Sequence, residues 1–415
     1  MTDWTPPARP DWVEQIISEG RHMDVRSLVP LRPDELMATA KANTGFDDFG
    51  EDSWQEGFHV FLDALENEAE LHLLGRLMTR SDILGWLEAR LGIEAAYKQH
   101  PEIDQEVVAQ PVVVTGLPRA GTSILFELLA QDPRFGSPRQ WEMMFPYPPP
   151  EKASYHSDPR IARCQHLVEQ WNRVVPTYAS MHEMGAELPN ECIVAMSCTF
   201  LTENLPGQYQ IPSYNAWFYQ QDLRPAYRYY KRMLKLLQWK NPRTQWLLKA
   251  PSHLGNLPVL FDTFPDAQVV ITHRDPVVAQ ASVTNLLGTL YWMRSEQPFD
   301  AGAFENLMTP EAGAARLNAV IDLLEQQAIP RPQINNFLYA ELVEEPLAAL
   351  RRLYAQMDVP MTEEAQTAMQ AYIQHKPKGK FGKHQYSLDE SKEIQRKREL
   401  YSRYQKYFGV PDEVG

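Results

Sequence analysis

Cysteine is scarce: Cys164, Cys192 and Cys198 are the three in 415 residues, too few and too irregularly spaced for a disulfide framework or a paired CxxC metal site. A reducing compartment is the expected setting, with the thiols structural. No stretch reaches the roughly 18 uncharged apolar residues of a membrane span. The opening MTDWTPPARPDWVEQI has neither the basic nor the apolar segment of a secretory leader. A cytoplasmic protein without an integral membrane segment is therefore expected. Positive charge is also short. Lys and Arg number 40 against 54 Asp and Glu, a formal net charge of −14, which argues against a nucleic-acid partner held by phosphate neutralisation. Any anion site has to be local. What the chain does have, 44% hydrophobic and 11% aromatic residues, is enough to bury a large core.

From about residue 12 to residue 97 apolar side chains recur at helical spacing, with Ser81-Asp82 reading as a helix start inside the run. The His and acidic residues of this region read as a solvated face. A polar turn at 98–105 leads into PVVVTG at 111–116, an uninterrupted β-branched run of the kind buried on both faces of a sheet. TQWLLKA at 244–250, AQVVITHR at 267–274 and INNFLYA at 334–340 repeat the pattern, each followed by helical spacing. That is the βα alternation of a parallel sheet. About 130 residues rich in Pro, Tyr, Trp and Met separate the first two runs, too many for a simple crossover. The expected fold is α/β: a P-loop-type parallel sheet flanked by helices over 106–415, a helical insert at about 140–242, and a helical N-terminal region over 1–105.

The first run passes directly into GLPRAGTS at 116–123 and then an apolar-periodic segment, ILFELLAQ. Strand, glycine-rich turn and helix present backbone N–H groups and a helix N-terminus to a phosphate. Against G-x-x-x-x-G-K-[ST], Gly116 and Gly121 fit, but Thr122 stands where a nucleoside triphosphatase carries lysine. The neighbouring strand ends carry Lys249 and Arg274 in place of a magnesium-binding Asp, with Asp275 one residue further on. Cations in place of a metal suit a donor bearing one 5′-phosphate and a sulfuryl group, and no metal is called for.

These residues resemble the sulfotransferases that use 3′-phosphoadenosine 5′-phosphosulfate (PAPS), most closely bacterial members with a G-L-P-R-[STA]-G-T-[ST] loop. The resemblance covers four segments between residue 112 and about residue 386. It implies that Pro118, Arg119, Ala120, Gly121, Thr122 and Ser123 form the 5′-phosphosulfate loop, with Arg119 beside the sulfuryl group. VVITHRDPVVAQAS is similar to the 3′-phosphate site, so Arg274 and Ser282 are implied ligands; Ser282 falls about two helical turns into the helix opened by Asp275-Pro276. FLYAELVEEP implies that Tyr339 meets the adenine. KPKGKFGKHQYS resembles a basic loop closing over the 3′-phosphate, in which Lys378, Lys380 and Lys383 supply charge while Gly379 and Gly382 supply backbone freedom.

Sulfuryl transfer needs positioning, cationic stabilisation and a base for the acceptor hydroxyl. Lys249 and Arg119 are the expected electrostatic pair; Lys249, in a Lys-x-Pro sequence, matches a lysine of the tyrosylprotein branch. Three residues are candidates for the base: Glu142, placed like the glutamate of that branch, His182 and His253. The acidic spacing of Glu183, Glu187 and Glu191 invites a metal reading, but Pro189 interrupts the face. Trp171, Tyr178, Tyr209, Tyr214, Trp217, Phe218 and Tyr219 make the insert aromatic, which points to a small, hydrophobic or lipid-like hydroxyl acceptor; YRYYKRMLKLLQW at 227–239 reads as a core helix. A P-loop kinase or a noncatalytic nucleotide-binding module are the alternatives.

Overall fold

The computed structural model describes residues 4–300, 309–375 and 391–414. Five helices open the chain: α1 (Asp11–Gly20), α2 (Val25–Leu28), α3 (Pro33–Thr44), α4 (Gln55–Asn67) and α5 (Leu73–Gln99). Helix α5 runs straight through Ser81-Asp82, so the expected start there is not one. Asp82 instead reaches across to Arg294, 3.0 Å away, and α5 begins at His72, whose Nδ1 accepts from the Gly75 N–H at 2.9 Å. His72 is buried, so neither side chain belongs to the solvated face expected of this region.

The sheet follows: β1 (Val112–Gly116), the two-residue β2 (Phe135–Gly136), β3 (Gln245–Lys249), β4 (Gln268–His273) and β5 (Ile334–Leu338). All pairings are parallel, in the order β2-β3-β1-β4-β5. Helix α6 (Thr122–Leu129) lies between β1 and β2. The insert holds α7 (Gln140–Met144), α8 (Pro159–Val174), α9 (Tyr178–Met181), α10 (Cys192–Ala195), α11 (Asn204–Gln208), α12 (Pro212–Phe218) and α13 (Arg224–Trp239). After β3 come α14 (Leu257–Thr263), α15 (Pro276–Trp292), α16 (Pro310–Glu325), α17 (Tyr339–Glu344), α18 (Pro346–Gln356), α19 (Glu363–His375) and α20 (Ser391–Phe408).

Alternation along the strands builds two cores. Val113, Leu248, Val269 and Ile271 pack with the N-terminal and insert helices. Val112, Val114, Leu247 and Val270 face α6, α18 and α19. Both faces are covered, which is why the strands read as continuous apolar runs. Successive strands lie on opposite sides of β1, and ligands of open α/β sheets bind beyond the carboxyl ends of strands at such a switch. Those ends deliver Gly116, Lys249 and Arg274 to one edge.

Candidate active site

Two glycines let the loop after β1 turn. Gly116 has φ +149° and Gly121 φ +86°, where a side chain is strained. A Cβ on Gly116 would strike Thr272 of β4, and one on Gly121 would strike the Tyr339 ring. Arg119, at φ +68°, is a non-glycine residue in the left-handed region, a placement that costs energy and clusters at functional sites. Its guanidinium donates to the Met181 carbonyl at 3.3 Å. Helix α6 starts at Gly121 with no side-chain cap on its first N–H groups. Pro118, Arg119, Gly121, Thr122 and Ser123 line a cavity at this point, while Ala120 is tucked beneath them, 1% exposed.

Cations flank the loop from both neighbouring strands. The Thr115 hydroxyl donates to the Ala250 carbonyl at 2.9 Å, which fixes the end of β3. Lys249 Nζ then lies 2.6 Å from Glu191 Oε1 and 3.3 Å from Ser123 Oγ. Arg274, just past β4, lies over the Tyr339 ring at 4.4 Å and donates to the Arg119 carbonyl at 3.0 Å. Its Nε and Nη2 each meet a carboxylate oxygen of Glu413 at 2.8 Å. Asp275 is committed elsewhere: it caps α15 through the Val277 N–H at 3.0 Å and takes two hydrogen bonds from Arg398, at 2.6 and 2.7 Å.

The three candidate bases part company. His182 lines the cavity beside Arg119 and Glu191. Burial, then the Lys249 ammonium, pushes its imidazole pKa below the usual value. Burial alone would raise the Glu191 carboxyl, but Lys249, with His182 and the hydrogen bond from Lys249 behind it, outweighs that and holds it below the ordinary carboxylate range. Glu142 faces away from the cavity and is wholly buried. One of its oxygens accepts from Arg243 Nη2 at 2.6 Å and the other from the Arg139 N–H at 2.9 Å, which makes it a helix-capping and core-pairing group. His253 is also buried away from the cavity, 2.6 Å from the Tyr227 hydroxyl, and burial pushes its pKa down to about 4. The geometry therefore brings together Arg119, Lys249, Glu191 and His182, and leaves out Glu142 and His253. Residues 183–190 form no helix, and Glu187 pairs with Arg139 at 3.0 Å, so the acidic spacing never forms one face. Among the described residues, no three His, Cys, Asp or Glu converge where a metal ion would sit.

The cavity, about 1760 Å³, extends well past the glycine-rich loop at 116–123. Met78, Leu84 and Trp86 of α5, Met143 of α7, Trp171 of α8 and Leu286 of α15 are among its walls. Of the insert's aromatic residues, Trp171, Tyr178 and Tyr219 face it. Tyr209, Tyr214, Phe218 and the apolar side of α13 are buried in the main core instead. The side chain of Ser282, within α15, and the loop residues Lys378, Gly379, Lys380, Gly382 and Lys383 lie outside the described residues.

Residues 111–363, more than half of the chain, match the model of a sulfotransferase family. This chain belongs to the sulfotransferase family. The sulfotransferase STF9 of Mycobacterium avium superposes with a TM-score of 0.78 at 26% identity, over 92% of this chain and 98% of that one. STF1 of Mycobacterium tuberculosis H37Rv gives 0.73 at 29% identity, over 91% and 99%. The described fold, N-terminal helices included, is thus that of other sulfotransferases. The omega-hydroxy-beta-dihydromenaquinone-9 sulfotransferase Stf3 of Mycobacterium bovis and of M. tuberculosis is 25% identical over 271 residues, 61% of this chain. That match spans 64% of Stf3's own length. Two site residues of this sulfotransferase lacked a usable sequence signal. Glu191 was visible only as part of an acidic run, and Glu413 contacts Arg274 from 139 positions away.

Proposed function

We propose that this sulfotransferase moves a sulfuryl group from PAPS to a hydroxyl of a hydrophobic, lipid-like acceptor. One observation carries the reading: the phosphate loop, His182, Glu191 and Arg274 line the same cavity as the apolar walls from α5, α8 and α15. A donor at the strand ends and an apolar alcohol beside it would share one enclosure. Stf3, a relative named for a menaquinone-derived substrate, agrees with that acceptor class. Among the described residues no helix is long and apolar enough to cross a membrane.

In this reading the loop from Pro118 to Ser123 and the α6 N-terminus hold the 5′-phosphosulfate. Arg274, with Ser282 and the basic loop of Lys378, Lys380 and Lys383, takes the 3′-phosphate, and Tyr339 takes the adenine. The acceptor oxygen attacks sulfur while the bond from sulfur to the bridging phosphate oxygen breaks. Negative charge then gathers on that bridging oxygen and on the sulfuryl oxygens, where Lys249 and Arg119 stabilise it. The acceptor's proton passes to His182, which its depressed pKa keeps neutral and receptive at pH 7. Glu191 holds Lys249 in place and favours the imidazolium once formed. The test is transfer of labelled sulfuryl from PAPS in EDTA, offered a long isoprenoid alcohol or a polysaccharide. Label on the alcohol is expected. Label on the polysaccharide alone, or turnover of ATP instead of PAPS, would overturn the reading.

A further inference from the structure

Helix α20 ends at Phe408, and Gly409 follows it at φ +67°, the left-handed conformation that turns a chain at a helix C-terminus. The Val410 N–H donates back to the Gln405 carbonyl at 2.9 Å, and Val410 is buried. Residues 410–414 then form a strap that returns along α20 to the start of α15. Gln405 Nε2 donates to Asp412 at 2.7 Å. Arg398, two turns earlier on α20, pairs with Asp412 at 3.1 Å and donates to the Val414 carbonyl. Asp275, the N-cap of α15, accepts from the Glu413 N–H at 2.8 Å as well as from Arg398.

These contacts deliver one side chain to the strand ends. The Glu413 carboxylate meets Nε and Nη2 of Arg274 in two bonds of 2.8 Å each. Arg274 is oriented without it, since Nη1 donates to the Arg119 carbonyl at 3.0 Å and the guanidinium lies over the Tyr339 ring. The edge that Nε and Nη2 form is a fork that binds the paired oxygens of a carboxylate or of a phosphate in the same way. One fork edge cannot hold both. The Arg274–Glu413 pair is partly exposed, so it is a weak contact that a better oxyanion can displace.

Resting on the donor reading above, we propose that the strap at 410–414 is an autoinhibitory latch, in which Glu413 stands where the 3′-phosphate binds and the donor must displace it. The free protein is divided between a latched form and an open one, and only the open form takes the 3′-phosphate. Apparent affinity falls in proportion to the open fraction. The carboxylate lowers the affinity for the spent donor, 3′-phosphoadenosine 5′-phosphate (PAP), in the same way, because PAP carries the same 3′-phosphate. A nucleotide without a 3′-phosphate has nothing to exchange for Glu413 and leaves the latch shut.

Calorimetric titration with PAP and with ADP, on wild type, Glu413→Gln, Arg274→Ala and the double variant, tests the latch. Glu413→Gln is expected to bind PAP about threefold more tightly, the worth of one partly exposed ion pair, with ADP affinity unchanged. In the Arg274→Ala background the same substitution is expected to change neither affinity, because the fork is gone. Weaker PAP binding by Glu413→Gln would make Glu413 a positioning partner of Arg274 and overturn the latch. So would unchanged PAP affinity, an equal gain for ADP, which marks a general charge effect, or a gain that persists without Arg274. Failure of the wild type to bind PAP at all would instead bring down the donor reading, and the latch with it.

Discussion

The two sides of the cavity that the proposed function assigns to donor and acceptor are built differently. On the donor side, short stretches of chain at three adjacent strand ends supply the loop of Gly116 and Gly121, then Lys249 and Arg274. Backbone geometry forces residue choice there: a glycine beside Thr272, another against Tyr339. On the acceptor side, single residues from helices far apart in sequence, such as Trp86, Trp171 and Leu286, share a wall. No local rule ties them together. A site made by backbone turns leaves a motif, whereas a site made by helix faces leaves only apolar periodicity, which is the same for a core and for a cavity wall.

That contrast separates the expected effects of substitutions. The largest belongs to the donor side: Lys249→Met should lower kcat about 10²- to 10³-fold, while PAP affinity, read by calorimetry, changes only a few-fold. His182→Ala should cost about 10²-fold in kcat and remove the acid limb of the pH–rate profile. In the wild type that limb should lie below pH 6.5, because the imidazole pKa is depressed and activity falls only as pH drops through it. Glu142→Gln should lower Tm and leave kcat in place; loss of kcat in a folded variant would return the base to Glu142. On the acceptor side, Trp86→Ala should raise KM for an apolar alcohol about tenfold with PAP affinity unchanged, and a loss of PAP affinity would erase the division between the two sides. The smallest effect belongs to the chain's end. Glu413→Gln should tighten PAP about threefold, as expected for relief of a partly exposed ion pair, since the carboxylate no longer competes for Arg274.

Strands β1, β3 and β4 were legible because burial on both faces forces consecutive apolar residues, whereas β5, at the sheet's edge with Asn335 and the exposed Asn336 in its middle, was legible from Ile334, Phe337 and Leu338 alone. Strand β2 was not, since Phe135-Gly136 is too short to carry a period. The glycine-rich turn at 116–123 and both cationic strand ends were legible as residue types at fixed spacing. The choice among bases was not: Glu142, His182 and His253 differ only in what surrounds them, and Arg243, the cavity and Tyr227 respectively come from elsewhere in the chain. Asp82 misled for a similar reason. A Ser-Asp pair suits a helix N-terminus, but a buried arginine in the turn after α15 needed that carboxylate. The N-terminal region gave no hint of its part in the cavity, because Met78, Leu84 and Trp86 are three among the many apolar residues of one long helix.

The central claim is that the strand ends recognise a 3′-phosphorylated adenine nucleotide. Calorimetric titration of the protein with PAP, ADP and ATP in EDTA, on wild type and on Arg274→Ala, tests it most directly. The account predicts that PAP binds at least about tenfold more tightly than ADP or ATP and that the variant loses this preference, as removal of a charged hydrogen-bond partner of phosphate requires. ADP or ATP binding as tightly as PAP, or a preference untouched in Arg274→Ala, would contradict it.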